Sequence, residues 1–230
     1  MKAIIAAKCT SSRVPDKNWR PFYKDKCLVE VKISQLIDAG FEPNNINVFC
    51  EDVSKKSRVT DLGAIFRSRD IETTKDSMHW SDVVTTLVSS LDCDEEDPIA
   101  WIQGPTPLFD GPQNKQVIDK WKEIEKKDEF DSIITVKEFK EFVIDNRGKP
   151  VNFNFGRWHD WSQDLPEWFI LESPIHIMKK KTYLRCNYYI GERPYVYKIN
   201  DNSIDIDYMN EFEEAQKIYT RIQKNKNNSK

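Results

Sequence analysis

The 230-residue sequence lacks the patterns that most directly reveal a cofactor, a metal or a membrane. It contains neither Gly-x-Gly-x-x-Gly nor a Walker motif, so the usual glycine-rich phosphate fingerprints are missing. Three dispersed histidines and five scattered cysteines show no metal-ligand spacing, which predicts reduced thiols and argues against a zinc site. No apolar run approaches the roughly 20 residues of a membrane span. The sequence opens directly on an apolar strand, so we also expect no signal peptide.

Net charge excludes further classes of partner. Charged residues make up 32% of the chain, but they nearly balance at a net −3, which favours neither a nucleic acid nor an anionic membrane. Hydrophobic content of 39% with 12% aromatics predicts a folded globule. We expect a cytoplasmic protein with one domain over residues 1–223 and a disordered polar tail over residues 224–230.

Short apolar segments alternate with stretches of helical periodicity along the chain. Predicted strands cover residues 2–7, 46–50, 63–66, 98–103, 132–136, 174–178 and 195–199. Predicted helices cover residues 27–39, 51–60, 81–91, 115–127 and 211–222. This alternation predicts an α/β fold with a Rossmann-like, doubly wound and mostly parallel sheet.

The loop after the first strand, residues 8–18, combines small and hydroxyl side chains with three cations, Lys8, Arg13 and Lys17. The carboxyl end of a first strand is where open α/β sheets bind ligands. Small residues let backbone N–H groups approach phosphate oxygens, and fixed cations neutralise them. A phosphate-binding loop and a solvated basic surface loop both remain open at this point.

A pair of carboxylates, Asp205 and Asp207, marks the second half of the chain. In a strand over residues 204–207 both would project to one face, because side chains alternate. Mg²⁺ prefers one or two carboxylates together with water and substrate phosphates. The alternative is a strand end with solvated acids. A basic loop and a metal site would complement each other around a phosphorylated ligand.

Five ordered stretches resemble the acylneuraminate cytidylyltransferases. Residues 7–18 (AKCTSSRVPDKN) are similar to that family's opening Ala-Arg-x-x-Ser-x-x-x-Pro-x-Lys-Asn, and residues 204–215 to its Ile-Asp-Ile-Asp close. Residues 63–70, 101–109 and 162–167 resemble three intervening motifs in the same order. The resemblance implies an Mg²⁺-dependent cytidylyltransferase that joins CTP to a sialic-acid-like keto-acid sugar, giving a CMP-sugar and pyrophosphate. Such chemistry belongs to nucleotide-sugar and cell-surface polysaccharide biosynthesis.

The resemblance also implies roles for individual residues. The catalytic set would be Lys8, Arg13 and Lys17. The nucleotide would be bound by Ser11, Asn18 and Arg69, with Arg67 as the alternative to Arg69. The sugar would contact Gln103 and Gln163, and the metal would be held by Asp205 and Asp207.

An aromatic-rich segment, residues 138–172, interrupts the α/β pattern. It contains Trp158, Trp161 and Trp168 without clear core periodicity, so the aromatics either cap the sheet within the chain or face a partner. The resemblance at residues 162–167 implies an inserted dimerisation lobe in a homodimer. Gln163 would then act in the neighbouring subunit's site.

Four departures from the family pattern bear on the substrate. Lys8 stands for an arginine, Phe109 and Ser162 each replace an arginine, and Glu172 stands where asparagine is expected. These departures leave two alternatives open, a changed substrate or a nucleotide-binding protein without turnover. A third alternative is a glycosyltransferase that uses Asp-x-Asp for its metal.

Overall fold

The computed structural model describes residues 1–199 and 203–228. The strands are β1 (Lys2–Ala6), β2 (Pro21–Tyr23), β3 (Lys26–Cys27), β4 (Ile46–Cys50), β5 (Ile65–Ser68), β6 (Pro98–Ile102), β7 (Ser132–Phe139), β8 (Trp168–Leu171), β9 (Ile175–Lys179) and β10 (Pro194–Lys198). The α-helices are α1 (Leu28–Asp38), α2 (Lys56–Thr60), α3 (Trp80–Ser89), α4 (Gly111–Ile124), α5 (Lys180–Cys186) and α6 (Met209–Asn228).

One eight-stranded sheet organises the molecule, in the order β10-β7-β9-β6-β1-β4-β5, with β8 added beside β7. β5, β4, β1 and β6 run parallel to one another, and β7 and β10 share their direction because β9 is antiparallel to both β6 and β7. Among the described strands of this sheet, β8 and β9 are the two that run in the opposite direction. The prediction of a Rossmann-like, mostly parallel α/β sheet is confirmed.

Buried side chains on the central strands form the core. Ile4, Ile5, Val48 and Trp101 are fully buried, as expected for strands covered on both faces. α1 packs against α2 and α4, whereas α3 packs against α5. None of the helices in the described ranges has the length and apolar character needed to cross a membrane.

A bulge separates β8 from β9 where both lie alongside β7. Val136 pairs with Leu171, whereas Ile133 pairs with Ile177, so three residues on β7 oppose six on the other strand. The three extra residues, 172–174, loop out of the ladder. The Thr135 hydroxyl lies 2.9 Å from the Glu172 carbonyl oxygen and 3.0 Å from that of Ile175, which anchors both ends of the bulge.

The lobe between β7 and β8 leaves large aromatic side chains exposed. Trp158 and Trp161 are 76% and 73% exposed. Phe142, Phe153 and His159 form a small aromatic cluster of their own, with Phe142–Phe153 centroids 4.9 Å apart. The two tryptophans therefore do not cap the sheet within this chain.

Two predictions in the C-terminal part need correction. Residues 203–207 form an irregular segment between β10 and α6, not a strand. α6 continues to Asn228, so residues 224–228 are helical where a disordered tail is predicted. Residues 229–230 of that predicted tail lie outside the described residues.

Candidate active site

A pocket of about 490 Å³ opens at the carboxyl edge of the parallel strands. The register pairs Ala6 with Phe49 and Ile5 with Ile102, so the segments after β1, β4 and β6 all emerge at this edge. The pocket is lined by the loop after β1, the segment from Arg69 to Trp80, and the start of the segment after β6. This is the position at which open α/β sheets bind ligands.

Most of the predicted site residues meet in this pocket. It is lined by Lys8, Ser11, Arg13, Lys17, Asn18, Arg69 and Gln103. Asp207 contacts two of these lining residues, and Asp205 lies two positions before it. Gln163 does not line the pocket and is exposed in the lobe, so any role at a site requires another subunit. The individual roles stay predictions.

Local hydrogen bonds shape the loop after β1. The N–H groups of Trp19 and Arg20 both donate to the Asp16 carbonyl at 2.9 Å, and Asp16 itself adopts a left-handed φ of 53°. Asn18 is only 5% exposed, and its amide nitrogen donates to the Lys8 carbonyl at 3.0 Å. A Cβ atom at Gly104 would lie 3.4 Å from Asn18 Oδ1, so glycine allows this close approach. Asn18 thus braces the loop.

Each cation of the loop already has a protein partner. Arg13 pairs with Asp207 at 2.9 Å, and Lys17 lies 3.3 Å from the same carboxylate oxygen. Lys17 also donates to the Ile206 carbonyl at 2.5 Å, while Lys8 pairs with Asp76 at 3.0 Å. A phosphate entering the pocket would share Arg13 and Lys17 with Asp207, so Asp207 links the loop after β1 to residues 203–207.

Arg69 lies in the pocket, whereas Arg67 points elsewhere. Arg69 Nε donates to Thr73 Oγ1 at 2.9 Å, and burial lowers the pKa of this guanidinium from its ordinary value. Arg67 Nε donates to Asn47 Oδ1 at 2.7 Å and does not line the pocket. Of the two arginines, only Arg69 lines the pocket, so the predicted nucleotide contact stays assigned to Arg69.

Asp205 lies where negative charge accumulates. The pKa of its carboxyl is raised to about 6, first by burial; Lys17 lowers it, and the carboxylates of Asp207, Glu172 and Glu211 raise it. By solvent accessibility the residue is nevertheless exposed, so solvent screens this charge in part. Within the described residues the carboxylate makes no hydrogen bond or ion pair. It is therefore free to bind a cation.

This charge accumulation predicts a pH-dependent stability effect of Asp205→Asn. The folded pKa of about 6 exceeds the unfolded value of about 3.9, so ionisation costs stability as pH rises through this window. At pH 8 the variant should unfold with a free energy about 1 kcal/mol higher than wild type, after allowance for solvent screening. Near pH 4 the two should converge. Urea unfolding at pH 4, 6 and 8 measures this difference.

A matched control is Asp119→Asn. Asp119 pairs with Lys115 on α4, and this hydrogen bond lowers its pKa, so the variant should gain nothing at pH 8. An equal gain for Asp205→Asn at all three pH values would contradict the assigned charge environment.

Glu172 lies near Asp205, and its own charge is compensated by a cation. It lies in the bulge at residues 172–174, and its charge contributes to the raised pKa of Asp205. Its carboxylate pairs with Lys137 at 3.2 Å, and both side chains are largely buried. Ser203 lies within 3.4 Å of the second carboxylate oxygen. Glu172 therefore does not present an unpaired negative charge to an anionic substrate.

Phe109, where the family pattern has an arginine, points into the core. Its side chain is 2% exposed, and its carbonyl accepts a hydrogen bond from Lys32 at 3.0 Å. Lys32 also donates to the Thr106 carbonyl at 2.7 Å, and burial lowers the pKa of its amine to about 7. These bonds fix the segment after β6, which supplies Gln103 to the pocket.

Sequence reasoning missed one wall of the pocket. Trp80 at the start of α3 lines it, with its ring edge against Trp101 at 5.7 Å and against Tyr189 at 6.0 Å. The turn over residues 71–74 supplies Thr73 and the carbonyl that holds Lys8. The polar connection between β5 and α3 could have indicated this wall, because it is long for a simple connection in this fold and long loops often carry binding residues.

The sheet order and the basic pocket at its carboxyl edge are those of a ligand-binding Rossmann-like α/β protein. A family model described as cytidylyltransferase matches residues 2–227. The chain belongs to the cytidylyltransferase family. A comparison with curated proteins gives no match.

Solved structures of similar fold cover nearly the whole chain. A CMP:2-keto-3-deoxy-manno-octonic acid synthetase complexed with CTP is 12% identical with a TM-score of 0.67, covering 96% of this chain and 98% of that one. The 4-diphosphocytidyl-2C-methyl-D-erythritol synthase of Anaerococcus prevotii is 12% identical with a TM-score of 0.66, covering 95% and 97%. The bifunctional IspDF of Campylobacter jejuni is 12% identical with a TM-score of 0.62, covering 91% and 53%. At these identities the likeness shows the fold.

Proposed function

We propose that this cytidylyltransferase joins CTP to a keto-acid sugar of the sialic-acid-like class. A sugar hydroxyl oxygen would form a bond to the α-phosphorus of CTP. The bond from that phosphorus to the bridging oxygen would break, and pyrophosphate would leave with a CMP-sugar as the product. Transfer of this kind depends on positioning and charge neutralisation, and it needs no protein nucleophile.

The observation that carries the proposal is that Asp207 pairs with two cations that line the pocket, Arg13 and Lys17. A triphosphate brings several negative charges, and Lys8, Arg13 and Lys17 are gathered within one loop to meet them. Asp207 connects this loop to Asp205. A nucleotide-sugar-dependent glycosyltransferase has no need of the cationic loop, and the family assignment favours nucleotidyl transfer.

Asp205 and Asp207 fit a magnesium ion. Asp205 is unpaired within the described part of the chain, and its pKa is raised first by burial and then by the neighbouring carboxylates, which a bound cation would offset. Two carboxylates with space for phosphate oxygens suit Mg²⁺, which retains waters and binds few protein ligands. Bound there, the ion would neutralise phosphate charge as it develops on the leaving group.

Support for a sugar acid comes from two other residues that line the pocket. Gln103 lines the pocket, and its side-chain amide is available for hydroxyl groups. Trp80, 40% exposed, offers an aromatic face to the apolar side of a sugar ring. Because Lys137 compensates Glu172, the substitution at this position is compatible with an anionic acceptor.

The exposed aromatics of the lobe support a homodimer. Trp158, Trp161 and Phe155 are all more than half exposed on one inserted segment. A monomer rarely exposes contiguous apolar patches beyond a few hundred Å². We propose that a second copy covers this surface by two-fold symmetry and that Gln163 reaches the partner's pocket.

Nucleotide preference gives a direct prediction. In thermal-shift titrations with Mg²⁺, CTP should stabilise the protein more than UTP, ATP or GTP, by about 2.7 kcal/mol at 100 times its Kd. Arg69→Gln should weaken the CTP shift, because Arg69 lines the pocket. Arg67→Gln is the matched control and should retain it, since Arg67 binds Asn47 away from the pocket. A larger shift with another triphosphate would refute the cytidine preference.

The decisive experiment is pyrophosphate release from CTP with a panel of acceptors. Release with 2-keto sugar acids supports the proposal. Release only with a polyol phosphate would retain the cytidylyl transfer and overturn the acceptor class. CTP binding without release for any acceptor would indicate a nucleotide-binding protein without turnover.

A further inference from the structure

Two cysteines and a glutamate meet where the loop after β1 begins and β4 ends. Cys9 follows β1 and Cys50 ends β4, and these neighbouring parallel strands place them at the same edge of the sheet. Their sulfur atoms are 3.5 Å apart. The ligand atoms of Cys9, Cys50 and Glu51 all lie within 4.8 Å of one another. We call this group the thiol cluster.

The spacing suits a tetrahedral metal better than a disulfide. Two thiolates bound to Zn²⁺ at about 2.3 Å in a tetrahedron lie about 3.8 Å apart. A disulfide requires a sulfur–sulfur distance of about 2.05 Å. The observed 3.5 Å, at which the two thiols share a hydrogen bond, is close to the first distance and well beyond the second.

Glu51 presents an unsatisfied oxygen in the thiol cluster. Glu51 Oε1 accepts the Cys9 N–H at 2.8 Å, whereas Oε2 is buried and has no hydrogen-bond partner within residues 1–199 and 203–228. A buried carboxylate oxygen without a partner is costly. Arg69, the cation nearby, directs its N–H groups at Thr73. An ion bound between the sulfurs and Oε2 would satisfy this oxygen.

Backbone geometry also supports metal-bound thiolates. The Asp52 N–H donates to Cys50 Sγ at 3.4 Å. Hydrogen bonds of this kind stabilise the negative charge that a thiolate carries when it binds a metal. Cys50 is fully buried, while Cys9 and Glu51 are partly exposed, which leaves a route for the ion.

We propose that Cys9, Cys50 and Glu51 bind one thiophilic divalent cation of the Zn²⁺ class, with the fourth position open to water. Two thiols and one carboxylate would take up the ion and release two protons. Thiolate ligands select such ions over Mg²⁺, so this site is distinct from Asp205 and Asp207. Because Cys9 adjoins Lys8, the bound metal would tie the loop to β4 and hold Lys8 toward the pocket.

Co²⁺ is the probe that tests the site in the full chain. Reduced, chelator-treated protein titrated with Co²⁺ should develop one equivalent of a thiolate-to-cobalt charge-transfer band and the intense visible bands of tetrahedral coordination. Zn²⁺ should displace it. Calorimetry with Zn²⁺ in buffers of different ionisation enthalpy should show two protons released per ion.

Variants assign the ligands. Cys9→Ser and Cys50→Ala should each weaken binding at least about 100-fold and lose charge-transfer intensity, and Glu51→Gln should weaken it about 10-fold while keeping the band. Cys186→Ser, on α5, is the control and should bind like wild type. Circular dichroism verifies the fold of each variant. Cys9→Ser, at a partly exposed position, provides the test should Cys50→Ala not fold.

Three results would overturn the proposal. One is the absence of cobalt bands in fully reduced wild-type protein. Another is a band that survives both Cys9→Ser and Cys50→Ala. The third is the loss of two thiols to hydrogen peroxide in protein that takes up no Co²⁺, which would make the pair a redox site instead.

Discussion

Asp205→Asn should lower the rate of pyrophosphate release from CTP by at least about 10²–10³-fold. The variant keeps the size of the side chain but removes the unpaired carboxylate proposed to bind Mg²⁺. It should leave the apo protein folded and slightly more stable at pH 8, because the pKa of Asp205 is raised in the fold. Asp207→Asn should lose turnover to a similar extent and also free Arg13 and Lys17 from their shared partner.

One further measurement and one control variant accompany the rates. Mg²⁺ should raise the melting temperature of wild type at pH 7.5, and this shift should be smaller in Asp205→Asn. Glu213→Gln is the matched control: it removes an exposed carboxylate from α6, and both rate and shift should stay at wild-type values. Near wild-type, Mg²⁺-dependent turnover in Asp205→Asn would exclude the metal role.

A mixture of two inactive variants should regain activity if the lobe acts across a dimer. In a heterodimer of Gln163→Ala with Asp205→Ala, one site carries both changes and the other carries neither. Random subunit exchange at equal amounts should therefore restore up to about a quarter of wild-type turnover. Each variant alone should stay well below this value.

The activity of the mixture distinguishes a Gln163 that acts in the partner's pocket from one that acts in its own. If Gln163 served the pocket of its own chain, every site in the heterodimer would carry one change and no activity would return. Light scattering and native mass spectrometry would establish that the heterodimer forms. Trp161→Ser supplies a further control, because loss of an exposed lobe tryptophan should weaken the dimer without touching the pocket.

Hydrophobic periodicity predicted the strands and helices that bury one face against the sheet. The strand at residues 46–50 has the predicted bounds, and α1 differs by one residue at each end from the predicted helix over 27–39. Such elements are visible in sequence because each buries a face against the sheet. The pocket-lining residues of the first loop followed from its position after β1.

The hydrophobic pattern of the sequence did not predict contacts between residues that are far apart in the chain. The sequence separates Cys9 from Cys50 by 41 positions, and only the pairing of β1 with β4 brings them together. The bulge at residues 172–174 depends on the register of β7 with two strands at once. The inward turn of Phe109 depends on its packing within the hydrophobic core. Local spacing carries no information on any of these.

The link between the first loop and the segment before α6 has a consequence for the order of folding. Lys17 and Ile206 are 189 positions apart, and Arg13 and Asp207 are 194 apart. Contacts across such separations form slowly, because a long stretch of chain must be ordered first. We expect refolding to assemble the sheet around β1, β4 and β6 before the acids reach the loop. A fluorescent nucleotide added at the start of refolding would therefore bind only in the last kinetic phase.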